Sequence, residues 1–312
     1  MKSCHEKNKY DVCVVVCTFN RSAILKECLS SLLEQTVPGE VFQVLVIDNN
    51  STDDTKNIVR DCGRVANLRY LVEWEQGLSY ARNKGMRCAD ADWIIYLDDD
   101  TRVPRDFIEK ALYTISHFPF DCFGGLYLPW FKYRRPCWFR DEYASNGKLL
   151  STVGVLEKGY ASGGIVAFNK ERLKRLGGFP ISLGMSGKRV AYGEENYVQK
   201  RLKESGGIIG FNPDWTVDHL VAEYKLNPWW FVRSKYAVGR DSVHAYGLNW
   251  RFPLLVKKGL GALFYLFVDL LSAFLKLRRK NYYVQNIIVE VFGIFSWKVG
   301  QIVGASRLLI RL

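Results

Sequence analysis

Paired cysteines, an apolar leader and internal repeats are all missing from this sequence of 312 residues. Its eight cysteines show no Cys-x-x-Cys spacing, which argues against a structural zinc site and favours single thiols in a reducing compartment over a disulfide framework. Residues 1–12, MKSCHEKNKYDV, contain no apolar stretch, so we expect no signal peptide and a cytoplasmic protein. The composition, 48% hydrophobic and 24% charged, excludes an intrinsically disordered chain and is sufficient for a large core.

Acidic residues are scarce only beyond residue 224. Residues 225–312 contain 14 basic and 3 acidic residues, a net charge of +11, whereas residues 1–224 contain 30 basic and 29 acidic residues. This contrast predicts two regions: a balanced domain over residues 1–224, and a basic, aromatic region of amphipathic helices over residues 225–312.

Strand-like and helix-like patterns alternate along the first hundred residues. Four short apolar runs predict buried strands, at Val12–Val16, Phe42–Ile47, Leu68–Val72 and Trp93–Leu97. Helical patterns lie between these runs, and we expect Ser22 to cap the first helix, which runs to about Gln35. Strands that alternate with helices across short loops favour an α/β fold, in which helices flank both faces of a mostly parallel sheet.

Polar residues that follow three of these strands are candidates for a ligand site, because α/β sheets bind ligands at the carboxyl ends of their strands. These clusters are Thr18–Arg21, Asp48–Ser51 and Asp98–Asp100. The three consecutive acids of the last cluster repel one another and must be solvated or neutralised by a cation. Their oxygen atoms suit Mg²⁺ or Mn²⁺. A solvated acidic turn is the alternative that the triplet alone leaves open.

Several segments, taken in order, carry a more specific signal. Four of them are Val-Val-Val-Cys-Thr-Phe-Asn-Arg (14–21), Val-Ile-Asp-Asn-Asn-Ser-Thr-Asp (46–53), Gly-Leu-Ser-Tyr-Ala-Arg-Asn-Lys-Gly (77–85) and Ile-Tyr-Leu-Asp-Asp-Asp (95–100). Together they resemble the nucleotide-sugar-binding half of family 2 glycosyltransferases, which have the GT-A fold, a Rossmann-like mixed sheet.

The resemblance continues further along the chain. It includes Ala-Ser-Gly-Gly-Ile-Val-Ala-Phe (161–168), Leu-Gly-Gly-Phe (176–179), Gly-Glu-Glu-Asn (193–196) and Val-Asp-His (217–219). It covers about residues 10–220. The implied catalytic domain has a nucleotide-sugar half at about residues 10–103 and an acceptor half at about residues 104–224.

The resemblance also implies roles for the residues that match the family's motifs. The residues expected to bind the nucleotide sugar are Thr18, Asn20, Arg21, Asp48, Asn49, Arg82, Asn83, Asp98, Asp99, Gly163 and Gly164. Many uridine-dependent members have a second Asp where this chain has Asn49. A UDP-sugar is nevertheless the donor that we favour.

A divalent ion, Mn²⁺ or Mg²⁺, is the cofactor that the resemblance implies. Asp98 and Asp100 match the family's Asp-x-Asp motif, with Asp98 near the ribose and Asp100 on the metal, and both are candidate metal ligands. His219 is a candidate third ligand or phosphate contact, since neutral imidazole binds metals well. A hydrogen-bonded structural histidine is the alternative for His219.

Glu195 matches the acid that serves as catalytic base in the family, and Glu194 precedes it. An acceptor hydroxyl must lose its proton as it attacks the anomeric carbon, and one positioned carboxylate can take that proton. A single displacement with inversion needs only this base, whereas a double displacement needs a second carboxylate as nucleophile. The alternative is that both acids lie in the first turn of a helix, where the helix dipole stabilises them.

The basic region predicts contact with a membrane surface. Gly259–Leu275 is apolar apart from Asp269, and its few polar positions share one helical stripe, which favours a helix lying in the interface, or packed on the protein, over one that crosses the bilayer. A second helical stretch runs from Val284 to about Val303. Clustered Lys, Arg and Trp suit anionic lipid headgroups. No RNA- or DNA-binding motif is visible, so we expect no nucleic-acid partner. A helical subdomain that covers the sheet is the alternative to contact with a membrane.

These observations predict a metal-dependent inverting glycosyltransferase in the cytoplasm, peripheral to the inner face of the cell membrane. The expected acceptor is a hydroxyl of a glycan or a lipid-linked intermediate, as in surface polysaccharide biosynthesis. A sugar-phosphate nucleotidyltransferase is one alternative, although the expected Gly-rich phosphate loop is missing after the first strand. A non-catalytic membrane-bound scaffold is the other, and it leaves the acids at 98–100 and Glu195 without a purpose.

Overall fold

The computed structural model describes residues 9–62, 66–187 and 190–310. These residues form two compact units, each of which is discontinuous in sequence. The first, which we call the sheet unit, includes the residues up to 129, 145–181 and 195–219. The second, which we call the helical unit, includes residues 130–144, 182–194 and those from 220 onwards. The predicted domain boundary at residue 224 stays a prediction.

The amino-terminal part of the sheet unit alternates strands with helices. Its elements are β1 (Tyr10–Thr18), α1 (Ser22–Leu33), β2 (Phe42–Asp48), α2 (Thr55–Asp61), β3 (Leu68–Val72), α3 (Leu78–Cys88) and β4 (Ala91–Asp98). The four strands pair in parallel in the order β3-β2-β1-β4. Each strand covers the run predicted from apolar residues, and β2 and β4 each end on an acid, Asp48 or Asp98.

The remaining elements extend this sheet with antiparallel strands. They are β5 (Thr101–Arg102), α4 (Phe107–His117), β6 (Cys122–Trp130), β7 (Gly154–Val155), β8 (Ile165–Asn169), α5 (Lys170–Arg175), α6 (Glu194–Glu204) and β9 (Ile209–Leu220). Within the described ranges, nine strands form one sheet in the order β3-β2-β1-β4-β8-β6-β9-β5, with β7 paired to β9. The mixed α/β fold is therefore confirmed.

Successive residues of β1 point to opposite faces of the sheet, and each face has its own buried cluster. Val12, Val14 and Val16 pack in one cluster with residues of α1 and α4. Cys13 and Val15 pack in the other with residues of α3. All five side chains are fully buried. An apolar run without alternation thus marks a strand covered by helices on both sides.

The start of α1 differs from the sequence prediction. Ser22 is not the cap of this helix but its first residue, since the cap position is Arg21, whose side chain makes no capping hydrogen bond. The backbone N–H of Ser22 donates instead to the carboxylate of Asp53, at 2.9 Å. A carboxylate distant in sequence therefore stabilises the exposed N–H end of the helix, a contact that local capping preferences do not reveal.

The helical unit is built on two helices whose backbones touch. Its helices are α7 (Pro228–Ala245), α8 (Phe252–Lys276), α9 (Val284–Ile287) and α10 (Gly293–Ile310), with a π-helical turn at Ile288–Phe292 and short 3₁₀ helices at Asp141–Tyr143 and Glu223–Leu226. A β-carbon on Gly239 of α7 would lie 2.0 Å from the carbonyl oxygen of Trp297, and one on Gly300 of α10 would lie 2.2 Å from that of Tyr236. Glycine at these positions permits the close approach.

The predicted second helical stretch corresponds to α9, the π-helical turn and α10. Val284–Leu309 is long and apolar enough to cross a membrane, by length and composition alone, and 33% of its most apolar window is buried inside the protein. Residues 1–8 lie outside the described residues. They include Cys4 and most of the segment in which we expect no signal peptide. The seven cysteines within the described ranges are free thiols.

Candidate active site

The acidic triplet after β4 is tied to the loop after β1. The hydroxyl of Thr18 donates to Asp99 at 2.7 Å, and the guanidinium of Arg21 lies 2.9 Å from Asp99 and 3.2 Å from Asp100. Asp99 and Asp100 are only 4% and 5% exposed. Burial raises the pKa of Asp99, with Arg21 opposing this and Asp100 adding to it. Asp99 and Asp100 are therefore buried and paired with Arg21, unlike the acids of a solvated turn, whereas the side chain of Asp98 is 39% exposed.

Strand pairing brings His219 to the same acids. Thr101 of β5 pairs with His219 of β9, so the residue after Asp100 lies opposite the histidine. Nε2 of His219 lies 3.2 Å from Asp100 and 3.9 Å from Asp98. One ligand atom from each of the three side chains lies within 4.8 Å of the others. Two carboxylates suit Mg²⁺ or Mn²⁺, and the imidazole favours a transition metal such as Mn²⁺, so these residues fit the implied cofactor.

Two adjacent glycines mark the point where the other predicted residues meet. A β-carbon on Gly163 would lie 3.1 Å from both the guanidinium of Arg82 and the side chain of Glu195, and one on Gly164 would lie 2.8 Å from the carboxylate of Asp98. Arg82 donates to the carbonyl oxygen of Gly163 at 3.0 Å and lies 3.9 Å from Asp98. Charged groups from α3, β4 and α6 thus surround a backbone segment that carries no side chain.

The Arg82 guanidinium is held in place by aromatic rings. It is 4% exposed and lies 5.8 Å from the ring centre of Tyr96 and 5.4 Å from that of Phe179. Asn83, its neighbour on α3, directs its amide elsewhere and exchanges hydrogen bonds with the backbone of Phe179, at 2.8 Å in both directions. The nucleotide contact predicted for Asn83 stays a prediction.

The two acids at the start of α6 have different surroundings. Glu194 is 3% exposed, whereas Glu195 is partly exposed and lies against Gly163. One turn further along α6, the amide of Gln199 accepts from the N–H of Ala161 at 2.8 Å and donates to its carbonyl at 2.9 Å. Glu195 and the glycine segment are therefore fixed to each other through α6.

The predicted nucleotide residues after β1 and β2 interlock at the same edge of the sheet. The carboxylate of Asp48 accepts from the hydroxyl of Tyr70 and from the N–H of Ser51. The amide oxygen of Asn20 accepts from the N–H of Thr52 at 2.7 Å, and Asn20 itself has a φ of 53°, which asparagine tolerates better than most residues. Asn49 bonds to the loop after β3.

Sequence reasoning missed three residues that support this site. Gln199 holds the glycine segment, Tyr70 bonds to Asp48, and the ring of Tyr127 lies 5.1 Å from that of His219. None of them belongs to a short motif. Their roles arise from contacts between residues 22 to 92 positions apart in the chain, which local sequence patterns do not reveal.

Comparison with known proteins identifies the family. The sequence profile described as "Glycosyl transferase family 2" matches residues 13–177. Glycosyltransferase AglE of Haloferax volcanii is 35% identical over 116 residues, which are 36% of this chain and 38% of AglE, so the match spans well under half of that relative. A glucosyl-dolichyl phosphate glucuronosyltransferase of the same organism is 25% identical over 235 residues, 71% of this chain and 72% of the relative.

The fold is also found among solved structures. Mannosyltransferase PcManGT from Pyrobaculum calidifontis, in complex with GDP-Man and Mn²⁺, superposes with a TM-score of 0.64 at 19% identity, over 96% of this chain and 88% of that one. At this level of identity the likeness shows a shared fold.

Proposed function

We propose that this chain, which belongs to glycosyl transferase family 2, transfers a sugar from a nucleoside-diphosphate donor to an acceptor hydroxyl, with inversion at the anomeric carbon. One observation carries the proposal: Asp98, Arg82 and Glu195, which come from three separate elements, meet at the side-chain-free segment Gly163–Gly164. A carboxylate of the proposed metal site and the candidate base therefore lie next to the same backbone segment.

Glu195 is the proposed base. As the acceptor oxygen bonds to the anomeric carbon, its proton passes to the Glu195 carboxylate, and the bond from that carbon to the diphosphate oxygen breaks. The electron pair of the broken bond leaves with the diphosphate. A positioned base of this kind is worth about 100- to 10,000-fold in rate. This single displacement, on the face opposite the departing diphosphate, inverts the configuration at the anomeric carbon.

The remaining residues are proposed to stabilise the negative charge of the diphosphate and to accommodate the sugar. When bound at Asp98, Asp100 and His219, Mn²⁺ or Mg²⁺ would stabilise the departing phosphate as a Lewis acid. Arg21 offsets the buried charges of Asp99 and Asp100, next to which the anionic donor must bind. The absence of side chains at Gly163 and Gly164 lets Arg82, Glu195 and Asp98 lie close to this backbone segment, where the sugar is proposed to bind.

The acceptor is proposed to be a lipid-linked hydroxyl at an anionic membrane surface. Helix α8 exposes large apolar side chains along much of its length: Phe252, Leu254, Val256, Leu260, Leu263, Phe264, Tyr265, Phe267, Val268, Leu271, Phe274 and Leu275. Other residues of the helix pack on the protein, since Leu255, Ala262 and Ala273 are buried, and Lys276 lies 3.7 Å from Glu290. A helix with its apolar side outward suits the membrane interface.

Two further observations support this location. Basic residues flank the helix, at Lys257 and Lys258 near its start and at Arg278–Lys280 after its end, and each adds about 1 kcal/mol of attraction near an anionic surface. The relative from Haloferax volcanii that aligns over 71% of this chain is named as an enzyme of glucosyl-dolichyl phosphate. A cytoplasmic, peripheral position remains part of the proposal.

The first experiment measures release of nucleoside diphosphate from a panel of UDP- and GDP-sugars with Mn²⁺, because PcManGT was solved with GDP-Man whereas we favour a UDP-sugar. Glu195→Gln should lower turnover by at least 100-fold and leave donor affinity unchanged, while Glu204→Gln on the same helix serves as the control. Turnover that survives in Glu195→Gln would exclude Glu195 as the base.

The second experiment is flotation with vesicles of neutral or anionic lipid. The full chain should float with anionic vesicles, and Leu263→Glu/Phe267→Glu on α8 should abolish this. Tyr113→Glu, which changes an exposed aromatic residue of α4, is the matched control. Equal flotation of the double variant and the wild type would reject α8 as the membrane contact.

A further inference from the structure

We propose that the indole of Trp74 is a preorganised stacking surface for the nucleobase of the donor, and that Asn49 is the residue that positions it. This inference rests on the proposed function and adds a specificity-determining residue to it. Trp74 follows β3 and is 70% exposed, although it lies in a loop whose backbone is firmly held.

Asn49 holds this loop on both sides of the tryptophan. Its amide nitrogen donates to the carbonyl oxygen of Glu73 at 3.2 Å and to that of Glu75 at 2.6 Å, and its amide oxygen accepts from the N–H of Gly77 at 2.8 Å. The side chain of Gln76 in turn donates to the backbone carbonyl of Asn49 at 2.6 Å. One side chain thus fixes the backbone directly before and after Trp74.

The loop is closed by two more contacts. The N–H of Glu75 donates to the carboxylate of Glu73 at 3.1 Å, and the N–H of Glu73 donates to the carbonyl of Asp48 at 2.7 Å. Gly77 has a φ of 148°, which a residue with a side chain rarely adopts, so the chain can turn into α3 directly after the loop. An exposed aromatic ring on such a restrained backbone loses little entropy when it binds a ligand.

The position of Trp74 matches the edge where the donor is proposed to bind. The N–H of Asn49 donates to the carbonyl of Thr18 at 2.9 Å, so the chain ends of β1, β2 and β3 are joined there by main-chain hydrogen bonds. Glu75, the residue after Trp74, is exposed, and Glu73, the residue before it, lies 3.8 Å from Arg87. An acidic neighbour disfavours an anionic lipid or a phosphate at the ring and leaves an uncharged, planar base as the suitable occupant.

The geometry also gives Asn49 a role other than direct contact with the base. Both of its amide hydrogens point to carbonyl oxygens of the loop, and an Asp at this position would present an oxygen to each of those carbonyls instead. Asn49 therefore stabilises this loop conformation, and its influence on the nucleotide acts through Trp74.

Calorimetric titration with UDP, GDP, CDP and dTDP, and separately with inorganic pyrophosphate, tests the inference in the presence of Mn²⁺. Trp74→Ala should weaken nucleoside-diphosphate binding by about tenfold, the size expected for one stacked base, and leave pyrophosphate binding unchanged. Trp74→Phe should restore most of the affinity. Trp229→Ala, which removes an exposed tryptophan of the helical unit, should change neither.

The possible failures are distinguishable. If the wild type and Trp74→Ala bind a nucleoside diphosphate equally well, the stacking role is overturned. It is also overturned if Trp74→Ala loses affinity for pyrophosphate as much as for the nucleoside diphosphate. In both cases the proposed function stands. Loss of vesicle flotation in Trp74→Ala without loss of nucleotide would likewise overturn it in favour of a membrane contact. If the wild type binds none of the nucleoside diphosphates, the proposed function falls, and this inference with it.

Discussion

The carboxamide of Gln199 exchanges two hydrogen bonds with the backbone of Ala161, accepting at 2.8 Å and donating at 2.9 Å. Gln199 is fully buried and lies one helical turn after Glu195. The pair joins the helix that carries the proposed base to the start of the glycine segment that borders it.

Gln199→Leu tests this link. The apolar side chain fits the space but leaves the N–H and C=O of Ala161 buried without a partner, at a cost of about 1–3 kcal/mol for each unpaired group. We expect a lower denaturation midpoint and at least a tenfold lower kcat, with donor affinity little changed. Arg201→Leu, an exposed site on the same helix, is the control. An unchanged kcat in a folded Gln199→Leu protein would contradict the positioning role.

Metal binding should depend on Asp100 and His219 even without nucleotide. Titration of Mn²⁺, followed by electron paramagnetic resonance, should show affinity lower by about tenfold or more in Asp100→Asn and His219→Ala. Asp218→Asn changes an exposed acid next to His219 and should bind Mn²⁺ as the wild type does. Wild-type affinity in His219→Ala would identify the histidine as a structural residue that is hydrogen-bonded to the acids.

Gly164→Ala should damage the site without unfolding the protein. The new methyl group would lie 2.8 Å from the Asp98 carboxylate, which must then move away from the metal set. We expect at least a tenfold loss of turnover and a melting temperature within a few degrees of the wild type. Gly154→Ala, whose β-carbon would meet its nearest side-chain atom at an ordinary 3.5 Å, should be fully active. Full activity in Gly164→Ala would show that the segment accommodates a β-carbon without disturbing Asp98.

Asn49→Asp should loosen the loop after β3. Replacing the amide with a carboxylate removes both donors to the carbonyls of Glu73 and Glu75 and places negative charge beside them. Hydrogen exchange of residues 73–77 should become faster, and nucleoside-diphosphate affinity should fall while pyrophosphate affinity is retained. Asn57→Asp, at a partly exposed site on α2 outside this loop, controls for the added charge. Unchanged exchange rates would show that other contacts suffice to hold the loop.

The sequence by itself predicted the four parallel strands of the sheet and the polar clusters that follow three of them. An unbroken apolar run such as Val12–Val16 is fully buried only when helices cover both faces of its strand, and β1 is indeed buried on both faces. The acids that follow β4 were recognisable because three adjacent carboxylates must be solvated or neutralised by a cation. The cap of α1 was predicted wrongly because its stabilising carboxylate, Asp53, lies 31 residues away from Ser22.

Only the tertiary structure decided which polar residues share a site and which support it. His219 reaches Asp100 because β9 pairs with β5, and Glu195 reaches Gly163 because α6 is fixed to Ala161 by Gln199. Local sequence specifies helices and strands, because their hydrogen bonds and side-chain periodicity are local. Contacts between distant segments depend on strand order and helix packing, and these are settled by the burial of the whole core.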